Sequence, residues 1–468
     1  MIKGVSKNVA MFAHAAKNTD PKETFAPAHI DLRNGRLSDA GNWERRPGYK
    51  NKWNTGADRP INLLIPEFRG VALTDTGRAF RLNENETTTE LTGFVMNGAW
   101  RPTWANHDQQ IIVCDGGDPI VVSGTKTAAL SGNPPKGRFI STLDGYAIVS
   151  GVDKVGFRWS ALSNPASWPV ANFNAVLKEG ESIEMQKVLN RELFFFKTRS
   201  IEIWMNVGGA TIFARRDLIQ LTDQGRQKRG LAGYSVVQAN NTFYFFCDGD
   251  FYVLNGRTPT IISKDYRAEL NKIQHSQEIY GFDCRKESLI RWFAPIEGKC
   301  FVYDYKNEVF SEDNVWDEGG WQRLPWNSYM EMAGEQYFGD YNSAGKIYHW
   351  SKDFHSDDGT PIRVYRRFLG PISPTGKTAR INRLCLRVKR GVATDLNPTP
   401  KMLVSWRMDQ SNSNDAVEFD LGSKGEMEPY IDLYSLGVCR EIEFEITETD
   451  VVDYLLTGVS MTVELTGG

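Results

Sequence analysis

The sequence has no basic excess. Its 55 Lys and Arg are set against 58 Asp and Glu, for a net charge of −3. A protein that holds nucleic acid by displacing counterions carries a clear surplus of cations. Long apolar runs are also missing. None approaches the ~20 residues of a membrane helix, and the longest clusters, such as Leu193-Phe194-Phe195-Phe196, have strand length. Cysteine is sparse. Cys114, Cys247, Cys284, Cys300, Cys385 and Cys439 lie far apart with no C-x-x-C pair. That spacing indicates neither a zinc site nor a disulfide scaffold, and reads as buried reduced thiols of a chain made in a cytosol. The six histidines are scattered without an H-E-x-x-H pair, and no G-x-S-x-G elbow occurs. Lys3 and Lys7 ahead of Val9–Ala16 imitate a secretion signal, but the stretch is short and holds His14.

Aromatic residues and turn formers are plentiful: 25 Phe, 17 Tyr, 13 Trp, 42 Gly and 20 Pro. That balance favours strands and tight turns over long helices. At 468 residues the chain exceeds what one hydrophobic core supports, so at least two units are expected. From residue 60 onward, short apolar runs flank turn residues repeatedly. The turns are centred on Asp75-Thr76, Gly116-Gly117, Val152-Asp153, Thr198-Arg199, Gly249, Asn307 and Ser343-Ala344. Their mean spacing is about 45 residues, within the ~40–50 residue period of propeller blades. Ser263–Ile273 is the one clear helical pattern, with Tyr266, Leu270 and Ile273 on one face and Ser263 placed as N-cap. After Pro371 and Pro374 the texture changes to successive strands. The expected fold is therefore all-β: a β-propeller with a C-terminal β-sandwich and few short helices. Residues 1–59 read as an N-terminal arm and first strands, 60–370 as the propeller and 371–468 as the sandwich.

The chemical motifs are weak. Gly370–Thr378 resembles a phosphate loop but has five residues between its glycines, and Pro371 and Pro374 lack the N–H groups that cradle phosphate. It reads as a linker. Asp353–Gly359 gathers carboxylates and His355 without the alternation of a calcium loop, so it reads as a solvated turn. Asp115, Asp248, Asp304 and Asp340 recur beside strand ends, where aspartate is first a turn residue. No catalytic, cofactor-binding or metal residue is assigned, and no enzyme activity is expected. Two features point to partners. Arg226, Lys228 and Arg229 form the most basic short stretch, a candidate partner-contact loop. Glu441, Glu443 and Glu445 alternate with Ile442, Phe444 and Ile446, giving one carboxylate face that either meets water or lines a channel for DNA.

Several elements in order resemble the tail hub or nozzle proteins of short-tailed bacteriophages (podoviruses), also called packaged-DNA stabilisation proteins or tail accessory factors. They are Asn42–Gly48, Arg69–Leu82, Asp144–Tyr146 with Arg158–Trp168, Ser200–Trp204 with Gly208–Ala210, Gln227–Ala232, and Phe338–Asp340 with Gly345–Tyr348. The resemblance covers residues 40–370 by motif and 371–468 by strand pattern. It implies a structural virion protein: a homo-hexameric ring below the portal and adaptor that closes the head after packaging. Such a ring retains the double-stranded DNA and forms part of the ejection channel, with a tail fibre or tailspike and a distal plug or needle as neighbours. It also implies a virion-tail location after assembly in the host cytoplasm, and no cofactor. The alternative is a propeller that binds or hydrolyses glycans, marked by paired carboxylates about 5–10 Å apart at the axis.

Overall fold

Phe194, Phe195 and Phe196 set the pattern for most of the chain. Successive side chains of a strand leave opposite faces, so an unbroken apolar run needs cover on both sides. Phe195 packs on Phe157 with ring centroids 4.7 Å apart, while Phe194 and Phe196 meet Phe243 at 4.9 and 5.1 Å. The strand Glu192–Lys197 therefore lies in a middle sheet of three stacked sheets.

The computed structural model describes residues 5–9, 13–15, 28–38, 42–108, 110–151, 156–176, 181–209, 211–221, 230–317, 319–342, 344–370, 378–395, 397–411, 415–426 and 428–466, those before 31 and after 464 as backbone only. These residues are almost entirely β, and among them no helix is long and apolar enough to cross a membrane. Seven sheets, mostly antiparallel, follow in order from residue 61. Their first strands are Ile61–Ile65, Thr103–His107, Phe139–Leu143, Ile183–Leu189, Val237–Ala239, Tyr280–Cys284 and Trp326–Met332.

Each sheet packs on the next. Ile65 and Val71 of the first share a core with Ile111 and Val113 of the second. Ile112 of the second meets Ile140 and Ala147 of the third. Phe251 of the fifth stacks on Trp292 of the sixth at 4.1 Å, and Phe293 of the sixth on Trp326 of the seventh at 6.0 Å. Met330 and Tyr337 of the seventh share a core with Ile61 and Leu64 of the first, so the stack closes on itself. Gly339 permits that last approach. A Cβ there would lie 2.4 Å from Ser328 Oγ and 2.5 Å from Ile61 Cβ.

The seventh sheet takes its fourth strand from far away in sequence. Gly48–Asn54 lies antiparallel to Lys346–Ser351, with Tyr49 opposite Trp350. Besides a two-stranded hairpin, Asn314–Asp317 with Gly320–Arg323, two further strand arrays are present. One runs Ala28–Arg33, Val364–Leu369, Ile442–Glu448, Lys401–Met408, Asp415–Asp420 and joins the sixth sheet through Arg33 and Glu312. The other runs Gly35–Leu37, Trp43–Arg45, Leu455–Thr466, Thr378–Val388, Tyr430–Cys439. Val404, Phe444 and Ile446 of one share a core with Leu384, Leu386 and Leu456 of the other. Where the sequence reading divides the chain at 60 and 371, strands on both sides of each division thus share sheets.

In the sixth sheet the turn read at Lys306–Glu308 is present and joins the third strand to the fourth, while residues 295–298 join the second to the third. Two sequence expectations need correction. The helical segment is a 3-10 turn, Lys264–Tyr266, followed by the α-helical turn Arg267–Leu270. Tyr266, Leu270 and Ile273 are buried as their spacing predicts, but Ser263 does not cap it. Its hydroxyl accepts from the Phe251 N–H at 2.8 Å and donates to Asp250 Oδ1 at 3.2 Å, which stitches the segment to the fifth sheet.

Candidate functional site

First strands of six of these sheets line a cavity of about 450 Å³. Leu64, Thr103, Ser141, Gln186, Gly281 and Ser328 line it from six of the sheets, and Val236 lines it just ahead of the fifth. The lining is polar and aromatic, with Asn62, Thr142, Tyr234, Tyr280 and Tyr329. Its charged residues are Arg101 and Lys187, and it contains no Asp or Glu. Arg101 donates to Asn327 Oδ1 at 2.7 Å and to the Asn327 carbonyl at 2.5 Å, and its guanidinium sits 3.9 Å over the Tyr280 ring. Burial lowers its affinity for its proton. Burial also pushes the Lys187 amine below its usual value. Arg323 reinforces the positive character by donating to the Tyr280 hydroxyl at 2.7 Å.

Arginines of the N-terminal strands form a buried seam with acids from the sixth and seventh sheets. Arg46 donates to Asp357 Oδ1 and Oδ2 at 2.8 and 2.6 Å, to Asn34 Oδ1 at 2.8 Å and to the Asn314 carbonyl at 2.9 Å. Asp357 is therefore a buried counterion, not part of the solvated turn expected over Asp353–Gly359. Beside it Arg36 pairs with Glu287 and Asp313, and Arg291 with the same two acids at 2.8 and 3.0 Å. Burial opposes ionisation of Asp313, but Arg36, Arg291 and Arg46 outweigh it and hold its carboxyl below the usual value. The Arg291 guanidinium lies 4.8 Å over Trp326 and 5.0 Å over Trp350.

The remaining expected site residues are dispersed. Arg226, Lys228 and Arg229 lie outside the described residues, as do 371–377 of the phosphate-loop decoy. Glu441, Glu443 and Glu445 lie at the cross-strand sheet, away from the first-strand cavity. The expected bare acidic face is not bare. Glu443 accepts from Arg367 Nη2 at 3.1 Å and from Arg407 at 2.7 Å, because those residues flank it on the neighbouring strands. Glu445 bonds the Tyr365 hydroxyl. Asp115, Asp248, Asp304 and Asp340 each accept a backbone N–H at a loop, from Gly117, Gly230, Lys306 and Asn342 respectively. The six cysteines are free and buried, and among the described residues no group of His, Cys, Asp and Glu is arranged to hold a metal.

No family model and no curated protein matches the chain. Solved structures match weakly. The extracellular domain of a putative hybrid two-component system from B. thetaiotaomicron covers 86% of this chain and 62% of its own, at 9% identity and TM-score 0.44. PorZ, a surface component of the type-IX secretion system of Porphyromonas gingivalis, covers 64% and 37%, at 9% identity and TM-score 0.39. An exo-beta-1,3-galactanase from Phanerochaete chrysosporium covers 98% and 100%, at 10% identity and TM-score 0.27. The chain spans 37%, 57% and 62% of the first three solved structures.

Proposed function

We propose that the chain is a structural protein of a short-tailed phage tail, the hub or nozzle ring below portal and adaptor. In this reading the seven sheets are the blades of a β-propeller, and the two further sheets are a β-sandwich built from both ends of the chain. The observation that carries it is where the resembling motifs fall. Arg45 and Arg46 are buried in the seam that joins the N-terminal strands to the sixth and seventh sheets. In Arg158–Trp168, Ser160 Oγ accepts the Ala147 N–H at 3.0 Å, and the Trp168 indole donates to the Pro165 carbonyl at 2.8 Å. Gly339 lets the seventh sheet approach the first. Arg46 and Gly339 join one sheet to another, and the Ser160 and Trp168 bonds brace the third sheet and its loop, which is the bracing a load-carrying ring subunit requires.

The glycan-hydrolase alternative needs two carboxylates about 5–10 Å apart in a shared cleft. The first-strand cavity supplies none from its lining. The outer groove of about 870 Å³ between the fourth, fifth and sixth sheets does hold Glu192, Asp265 and Glu308, but Glu192 is tied to Arg257 at 2.8 Å.

The test is assembly. Light scattering of the free protein is expected to give a monomer. Electron microscopy after mixing with the portal–adaptor complex of its own phage is expected to give a sixfold ring. A stable hexamer without the template contradicts template-driven assembly, and no binding to that complex contradicts the tail reading itself.

A further inference from the structure

The cavity lined by first strands of six sheets is charged in an unbalanced way. Lys187 lines it with no ion-pair or hydrogen-bond partner among the described residues, and no carboxylate lines it. Arg101, the other cation there, is bonded only to neutral oxygens. Three other buried cations sit beside acids: Arg46 with Asp357, Lys197 with Glu202 at 3.1 Å, and Arg291 with Asp313. Lys187 is half-buried there, and a positive charge partly withdrawn from water without a counterion is offset by a bound anion. A cavity of about 450 Å³ is large enough for a small ligand, and its hydroxyls and amides at Asn62, Thr142 and Tyr234 are suited to hold polar oxygens.

We propose that this cavity is a binding site for a small oxyanion, a carboxylate or a phosphate, held by the Lys187 ammonium with Arg101 adding positive potential. Lys187 is well placed for it. Its strand neighbour Gln186 is committed elsewhere, bonding Ser141, Ser150 and the Ile148 carbonyl, which fixes that strand and leaves the lysine as the free charged donor of this strand's lining. The site does not depend on tail assembly, so it stands or falls separately from the proposed function.

Calorimetric titration of the whole chain with inorganic phosphate and, separately, with acetate or citrate distinguishes the two anion classes at matched ionic strength. The expected result is saturable binding of at least one class, weakened tenfold or more by Lys187→Met and retained by Lys187→Arg. Thermal melting with each anion checks the same point in folded protein, because a ligand of the native state raises Tm in wild type and not in Lys187→Met. Equal binding by wild type and Lys187→Met overturns the assignment, as does binding of neither anion class by wild type.

Discussion

The guanidinium of Arg46 grips both carboxylate oxygens of Asp357 at 2.8 and 2.6 Å, across 311 positions of sequence, and neither side chain is more than 2% exposed. Breaking one partner of such a pair leaves a buried charge, at a cost of about 3–5 kcal/mol. Arg46→Met and Asp357→Asn should each lower the urea midpoint strongly, and the double variant should lose less than the sum. Additive losses in that cycle would mean that the two residues act independently.

Gly48 opens the strand that completes the seventh sheet. A Cβ there would lie 2.2 Å from the Ser356 carbonyl oxygen and 2.7 Å from that of Phe354. Both are backbone atoms and cannot swing away. Gly48→Ala should cost about 2 kcal/mol or more, in the range of overpacked sites. Limited proteolysis should then cut first around residues 48–54.

Asp340 is buried, and burial raises its carboxyl to about 6 in spite of the Asn342 N–H it accepts at 2.7 Å. An unfolded aspartate titrates near ~3.9. Between about pH 4 and pH 6 the folded chain therefore binds the extra proton, and stability falls as pH rises. Asp340→Asn should remove that part of the slope, so its Tm should fall less than that of wild type across the same window. An identical slope in both proteins would show that Asp340 is ionised throughout.

Glu443 and Glu441 should respond differently to charge reversal. Glu443 is shared by Arg367 and Arg407, so Glu443→Lys places three cations together. Two half-exposed pairs are worth up to about 1 kcal/mol each, and Tm should drop accordingly. Among the described residues Glu441 is engaged through its backbone, its N–H donating to Asp409 Oδ1 at 3.0 Å and its carbonyl accepting the Asp409 N–H at 3.0 Å. Glu441→Lys should change stability by less than about 0.5 kcal/mol. A genome-ejection assay of the acidic face is thus best made at Glu441 and Glu445.

Arg366 is buried with its three guanidinium nitrogens unbonded, 4.3 Å over the Trp43 ring. Desolvation of that charge exceeds what one ring returns. Arg366→Met should leave Tm unchanged or raise it, as differential scanning calorimetry would show.

The strand rhythm was legible because apolar runs and turn chemistry are local. The turns at 74–77, 115–118 and 248–249 carry Asp and Gly, and Asp75, Gly116 and Gly249 lie where the reading put them. The inner turn of the sixth sheet went unread because it carries exposed Ile296, an apolar residue that blurs the signal. The N-terminal strands were hidden for a different reason. Arg36, Arg45 and Arg46 look like solvated loop charge, and their counterions lie between positions 287 and 448. No window of sequence contains both halves. The cavity was equally hidden, since it takes residues from six sheets spread between positions 62 and 329.

The strand Gly48–Asn54 also sets a timetable. It leaves the ribosome nearly 300 residues ahead of Lys346–Ser351, the strand it must join. At about 5–20 residues per second, its backbone edge waits roughly 15–60 s with its partner still unmade. Trp53 and the arginines of the seam wait with it. Slow translation of the second half lengthens that exposure, so yield in the cell should depend on elongation speed and on chaperones that shield an unpaired edge.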